Sequence, residues 1–165
     1  MLIDGIASFN ALPSEEAEER LYGCFANRTW AAKVAAGRPY KDMTEVLASA
    51  ESAWSGLTAG DWLQAFAAHP RIGEKGGHAP ATSEREQRKL GQGSDLTLNA
   101  IAAQNRDYER RFGHVFLIAA SGRSADEILA ALRGRMGNDA ATELQVAAAE
   151  QRKITRLRLE ALLKA

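Results

Sequence analysis

The sequence predicts an all-α fold, a single-domain bundle of about eight helices. Alanine, leucine, glutamate and arginine dominate the 165 residues, and all four favour helix. The alternation of apolar and polar residues that marks a half-buried strand is scarce. Because a chain of this length commonly forms one domain, we expect residues 1–165 to fold as a single helical domain.

Helix-ending residues divide the first half of the chain into five helical segments. Ser14 is placed to cap the second helix, which has two glutamates in its first turn. Thr58 and Asp61 open the fifth segment, and Pro70 should end it at His69 by disfavouring helical backbone there. We therefore expect helices over about residues 1–11, 14–25, 28–36, 44–54 and 58–69.

The second half begins with a loop rich in glycine and proline, over residues 73–82. Two Ser-x-x-Glu pairs, Ser83 with Glu86 and Ser124 with Glu127, have the spacing of a capping box that starts a helix. The expected elements are helices over about 83–90, 96–112 and 124–136, a short extended run at 115–118, and a last helix from a cap at Asn138 to about 163.

Composition and charge exclude several classes of partner. The 21 basic and 21 acidic side chains cancel, and no block of like charges predicts binding to nucleic acid or to a membrane surface. Cys24 is the only cysteine, so a disulfide within the chain and a cysteine-based zinc site are excluded, and we expect it to be buried. No apolar run approaches the 18 residues of a membrane span, and the N-terminus lacks a basic signal region. We expect a cytoplasmic protein.

His69 is the strongest candidate for a catalytic residue. Its side chain has an unperturbed pKa of about 6.5, so it exchanges a proton near neutral pH. Pro70 stiffens the backbone directly behind it, and a proton-transfer group held at a helix end suits an acid–base enzyme. The structural alternative is a histidine that only caps the last carbonyls of the helix.

Ser83 and Glu86 form a second candidate group. A capping box alone would explain both residues. A helix N-terminus also suits an anionic ligand, and Glu86 would then be a carboxylate able to relay protons or to bind urea-like N–H groups. Both interpretations remain open from the local sequence.

Arg158 and a run of small residues complete the candidate site. The apolar face of the last helix is expected to consist of Ile154, Leu157, Ala161 and Leu162. Arg158 falls on this face, whereas Arg152 and Arg156 fall outside it, so its guanidinium is suited to binding a carboxylate. The structural alternatives are a core ion pair and a side chain that extends along the apolar face to reach solvent. The small residues of 119–123 would let a ligand approach the backbone, unless they form an ordinary turn.

Taken together, these motifs resemble the OHCU decarboxylases, where OHCU is 2-oxo-4-hydroxy-4-carboxy-5-ureidoimidazoline. The resemblance covers nearly the whole chain and depends on the order and spacing of many short motifs. They are Phe9-Asn10, Trp30, Arg38-Pro39-Tyr40, His69-Pro70 with Ile72-Gly73-Glu74-Lys75, Ser83 with Glu86-Gln87, Asn105-x-x-Tyr108, Arg111-Phe112-Gly113, Phe116-Leu117-Ile118, Gly122-Arg123-Ser124, Glu127-Ile128-Leu129, Asn138 and Ile154-x-x-Leu157-Arg158-Leu159.

The resemblance implies an all-α homodimer that decarboxylates OHCU to (S)-allantoin in urate catabolism, without a cofactor or metal. It implies two catalytic residues, His69 and Glu86. The substrate-binding residues that it implies are Pro70, Ser83, Ile118, Ala119, Ala120 and Arg158. One departure is visible, because Arg71 stands where many members have an acidic residue after His-Pro, which affects substrate steering near the histidine.

Two other functional classes remain as alternatives. One is a metal-dependent hydrolase that uses His69, Glu74 and His78, although these residues lie in a loop that does not specify ligand geometry. The other is a helical interaction module without catalysis. Arg158 on an apolar face, together with an acid–base pair at two helix ends, argues against the interaction module.

Overall fold

The computed structural model describes residues 5–74, 77 and 80–164, and this part of the chain is helical without a strand. The all-α prediction is confirmed. The elements are α1 (Gly5–Ala11), α2 (Ser14–Cys24), α3 (Arg28–Ala36), α4 (Met43–Ser55), α5 (Ala59–Phe66), α6 (Pro80–Glu86), a 3-10 turn (Leu90–Gln92), α7 (Asp95–Phe112), α8 (Ala125–Arg135) and α9 (Ala140–Leu162). No helix among these residues combines the length and apolar character needed to cross a membrane.

The chain divides into two compact units. The first comprises residues 1–65 and 152–165, and the second comprises residues 66–151, so α9 contributes residues to both. The prediction of a single domain over residues 1–165 stays a prediction.

The first unit has an aromatic core. Trp30 is 1% exposed, its indole N–H donates to the Ala50 carbonyl at 3.1 Å, and the ring meets Phe25 edge to face. Asn27 fixes the start of α3, because its side chain accepts from the Trp30 N–H at 2.8 Å. Cys24 is buried in this core, as the sequence predicts.

The second unit encloses its own apolar core, to which α7, α8 and the segment 115–118 all contribute. Its buried members include Leu90, Ile101, Tyr108, Phe116, Ile118, Ala120, Ile128 and Leu132. The Ser124–Glu127 capping box is present in full and starts α8, which confirms that prediction. At the end of α7, Gly113 takes the left-handed conformation with φ of 80°. Its N–H donates to the backbone carbonyl of Glu109, which closes the helix.

A buried ionic network surrounds Glu143, which is fully buried on α9. Its Oε2 accepts from Arg135 Nε at 2.9 Å, and Tyr108 donates its hydroxyl to the same oxygen. Burial raises the pKa of Tyr108, and its hydrogen bond to Glu143 raises that pKa further. Arg135 also donates to the Leu117 carbonyl at 2.5 Å. The network therefore fixes the backbone directly before Ile118.

Two helix starts differ from the predicted ones. Ser14 was expected to cap α2, but it is the first helical residue, because Pro13 occupies the cap position and its carbonyl accepts from Ala17 at 2.9 Å. Asn138 was expected to cap α9, but Asp139 does so by accepting from the Thr142 N–H at 2.7 Å. This hydrogen bond lowers the pKa of Asp139.

Helices α5 and α6 also differ from the prediction. Helix α5 ends at Phe66, because Pro70 has no N–H for the Phe66 carbonyl and the His69 N–H takes that acceptor at 3.1 Å. Helix α6 begins at Pro80, three residues before Ser83, because proline suits the first helical position. Ser83 and Glu86 therefore lie within α6, and their interpretation as a capping box is wrong.

Candidate active site

His69 lies in the turn that follows α5, within the second unit, and is half-buried. Its Nε2 lies 2.7 Å from Oε1 of Gln151, a fully buried residue on α9. Pro70, directly after it, is also half-buried. The imidazole is thus oriented from the side of α9 and remains partly accessible to a ligand.

The loop after His69 is attached to two other elements. Asn105 of α7 is buried, and its Nδ2 donates to the Ile72 carbonyl at 3.1 Å. The Gly73 N–H donates to Oε1 of Gln87, the residue after α6, at 2.9 Å. The first bond ties the loop after Pro70 to α7, and the second ties it to the end of the helix that carries Glu86.

Arg71, the residue that follows His69-Pro70, forms a surface ion pair. Its Nε and NH2 bind the two carboxylate oxygens of Glu109 at 2.6 and 3.1 Å. A further contact of 3.6 Å joins it to Glu74. Hydrogen bonding to Glu109, with the charge of that carboxylate, raises the pKa of Arg71. Arg71 is thereby held by α7 in this structure.

Ser83 and Glu86 lie three residues apart on α6 with different exposure. Ser83 is buried, at 4% exposed, whereas Glu86 is half-buried. Glu86 lines a pocket of about 350 Å³ whose other walls are Arg85, Arg88, Lys89, Gln92, Ser121 and Gly122. Lys89 donates to the Gly122 carbonyl at 3.3 Å. The structure therefore brings the Glu86 carboxylate to the small-residue run 119–123.

The backbone of 118–120 is held from both sides. Ile118 and Ala120 are buried in the second core, and Ala119 is half-buried. The Ala119 N–H donates to Oε1 of the buried Glu150 at 3.1 Å, and its carbonyl accepts from Arg123 Nε at 3.0 Å. Ala119 is thus held at both its N–H and its carbonyl, and the chain turns directly afterwards, where the Arg123 N–H donates to the Ala120 carbonyl at 3.0 Å. The ordinary turn that the sequence left open is therefore present in the run 119–123.

Arg158 belongs to the first unit. It is 5% exposed, and its NH1 lies 3.5 Å from the Gly23 carbonyl. The prediction that Arg158 faces inward is confirmed, and Arg152 and Arg156 are exposed as expected.

The predicted composition of the Arg158 face is partly wrong. Leu157 is 45% exposed and Ala161 is also exposed. The buried positions recur every three or four residues, as one side of an α-helix requires. They are Gln151, Ile154, Thr155, Arg158, Leu159, Leu162 and Leu163.

The sequence reasoning missed Glu150 and Gln151. Both are buried, at 6% and 0% exposed, and they bind Ala119 and His69 respectively. A signal was available for Gln151, which lies three residues before Ile154 and seven before Arg158 on the same helix face. Polar residues on a buried face require partners, so they indicate a site.

The residues described by the structure contain no cluster of three or more metal-ligating side chains. The alternative metal site at His69, Glu74 and His78 depends on His78, which lies outside the described residues. The absence of a metal from the predicted chemistry therefore stays a prediction.

A half-buried imidazole held against a buried amide in an all-α fold suits an enzyme of the acid–base type. The family model for OHCU decarboxylase matches residues 10–160. The chain belongs to this family, a family of carboxy-lyases.

Three relatives illustrate the match. The uric acid degradation bifunctional protein TTL of Arabidopsis thaliana is 30% identical over 154 residues, which are 90% of this chain and 48% of that protein. The chain thus spans about half the length of that relative. A 2-oxo-4-hydroxy-4-carboxy-5-ureidoimidazoline decarboxylase of Amia calva is 33% identical over 79% of this chain and 77% of its own. An OHCU decarboxylase crystallised in the presence of (S)-allantoin superposes with a TM-score of 0.78 at 33% identity, covering 88% of this chain and 97% of its own.

Proposed function

We propose that this chain decarboxylates OHCU to (S)-allantoin in urate degradation. The family match over residues 10–160 carries the proposal, because it includes His69 and the elements that hold it. The likeness to an OHCU decarboxylase crystallised with (S)-allantoin supports the same product. We further propose that the protein acts in the cytoplasm.

The substrate supplies its own electron sink. Its carboxylate is attached to a carbon next to a C=N bond, so the electron pair of the breaking C–C bond moves into that system as carbon dioxide leaves. A Schiff base or pyridoxal cofactor is therefore unnecessary, and we propose catalysis without a cofactor. The protein must hold the carboxylate out of the ring plane, stabilise the enol-like intermediate and direct a proton to one face.

We assign the acid–base step to His69. A half-buried imidazole oriented by Gln151 can accept the proton of the substrate hydroxyl group or deliver a proton to carbon. Glu86 would orient the ureido group or relay protons, and its charge near the departing carboxylate would favour loss of carbon dioxide. Ser83 would add a hydrogen bond to the substrate.

The remaining assigned residues bind the substrate. Arg158, a buried guanidinium, would take an anionic group of OHCU, since its planar fork matches a carboxylate. The ordered backbone of Ile118, Ala119 and Ala120 would bind the amide-rich ring. Pro70 would pack against the substrate beside His69.

The test of the function is the chirality of the product. The protein is added to freshly oxidised urate, and circular dichroism follows the formation of allantoin. We expect the wild type to accelerate formation of (S)-allantoin. If the allantoin is racemic and forms no faster than in the absence of the protein, the proposed function is contradicted.

His69→Asn tests the acid–base role in the same assay. Because asparagine cannot exchange a proton near neutral pH, we expect turnover to fall by about 10²–10⁴-fold, with racemic product. Far-UV circular dichroism of the variant should match that of the wild type, which shows that it is folded. A folded His69→Asn protein with near wild-type turnover would remove the assignment of His69.

A further inference from the structure

Gln151 is a fully buried amide in contact with the histidine assigned to catalysis. Its Oε1 lies 2.7 Å from His69 Nε2, although 82 residues separate the two in the sequence. Burying a primary amide costs free energy unless its polar atoms are hydrogen-bonded. The contact with His69 therefore accounts for a polar residue at a position that would otherwise favour an apolar one.

The direction of this hydrogen bond determines where the imidazole carries its proton. A carbonyl oxygen only accepts, so the partner nitrogen, Nε2, must bear a hydrogen. A neutral imidazole has one N–H, so Nδ1 then holds the lone pair. We propose that Gln151 is a positioning residue that holds His69 in the Nε2–H tautomer and makes Nδ1 the nitrogen that exchanges protons with the substrate.

The chemistry of the amide suits this role better than that of a carboxylate. A carboxylate in contact with an imidazole favours the charged imidazolium. The neutral amide orients the ring without adding charge. Glu150, the neighbouring residue on α9, instead binds the Ala119 N–H at 3.1 Å. Two consecutive residues of α9 thus hold two different parts of the candidate site.

The tautomer can be measured directly by 15N NMR of the histidine ring nitrogens, with the His69 signals assigned by their loss in His69→Asn. We expect the Nε2–H pattern in the wild type. Gln151→Met has a similar length and no acceptor at the carbonyl position, so we expect a mixture of tautomers. Wild-type protein in the Nδ1–H form would overturn the proposal.

Kinetics provide the second measurement, which rests on the proposed function. We expect Gln151→Met to lower kcat by tenfold or more with little change in KM, since a wrongly oriented base affects the chemical step rather than binding. Gln145→Met, an exposed position on the same helix, should leave kcat unchanged. Wild-type kcat in Gln151→Met would also overturn the proposal.

Gln151→Glu separates positioning from general packing. Glutamate retains an oxygen acceptor at the same reach, so Nε2 should again carry a hydrogen and part of the activity should return relative to Gln151→Met. Its charge should also raise the imidazolium fraction of His69 above that of the wild type. Equal losses in both variants would indicate a packing role only. If the wild type fails to decarboxylate OHCU, the proposed function fails, while the NMR measurement still decides the role of Gln151.

Discussion

At the scale of single residues, Glu86 can be tested without the complication of helix capping. Helix α6 begins at Pro80, so Glu86 does not cap its N-terminus. If Glu86 is catalytic, Glu86→Gln should lower turnover by about 10²-fold or more, because glutamine cannot carry the charge or relay a proton. The melting temperature should change little.

Glu84→Gln is the matched control, since Glu84 is exposed on the same helix. Turnover and melting temperature should be measured on both variants. If Glu86→Gln keeps the turnover of the control, Glu86 must be withdrawn from the catalytic residues.

Arg158 offers a test that depends on binding rather than on turnover. Allantoin should raise the melting temperature of the wild type, because it binds only the folded protein. Arg158→Lys keeps the charge but loses the planar fork, so the increase caused by allantoin should be much smaller.

The control for Arg158 is Arg156→Lys. Arg156 is exposed on the same helix and pairs with Glu160 at 2.8 Å. The allantoin-induced increase in melting temperature should equal that of the wild type in this variant. Equal increases in Arg158→Lys and wild type would mean that Arg158 does not contact the ligand.

At the scale of elements, the Glu143 network connects α7, α8 and α9 to the wall of the candidate site. Glu143→Gln would leave the Arg135 guanidinium, 11% exposed, without its charged partner. Breaking a buried ion pair typically costs about 3–5 kcal/mol. We expect a loss of that size in the free energy of unfolding, measured by urea denaturation.

Glu109→Gln is the comparison, because Glu109 pairs with Arg71 near the surface. Surface ion pairs contribute about 0–1 kcal/mol. Similar losses of unfolding free energy in the two variants would show that the buried network contributes no more to stability than the exposed pair.

The helix starts show where local sequence is enough to predict the first residue of a helix and where it is not. Ser124 and Glu127 form their capping box as predicted, because both partners lie within one helical turn. Ser83 and Glu86 have the same spacing, yet α6 starts earlier at Pro80. The same local pattern can therefore open a helix or lie inside it, depending on what precedes it.

At the scale of the whole molecule, catalysis without a metal makes a direct prediction. Turnover of OHCU should survive exhaustive chelation, and metal analysis of the purified protein should find no stoichiometric transition metal. Loss of turnover on chelation, restored by one metal, would favour the alternative hydrolase site at His69, Glu74 and His78. The homodimer implied by the family remains a prediction.

Local sequence was enough to predict the all-α class, most helix ranges and the inward position of Arg158. These properties follow from interactions within a few residues and from the 3.6-residue period of the helix. Leu157 and Ala161 are exposed despite their apolar character, because the buried positions of α9 follow the helical period through Ile154, Arg158 and Leu162.

The contacts that hold the candidate site could not be predicted from the sequence, because they join residues far apart in the chain. His69 bonds to Gln151 across 82 residues, and Ala119 bonds to Glu150 across 31. Such pairs depend on how separate helices pack, and a polar residue on a buried face indicates only that some partner must exist. The sequence alone nominates candidate groups for catalysis, whereas packing determines which side chains hold them.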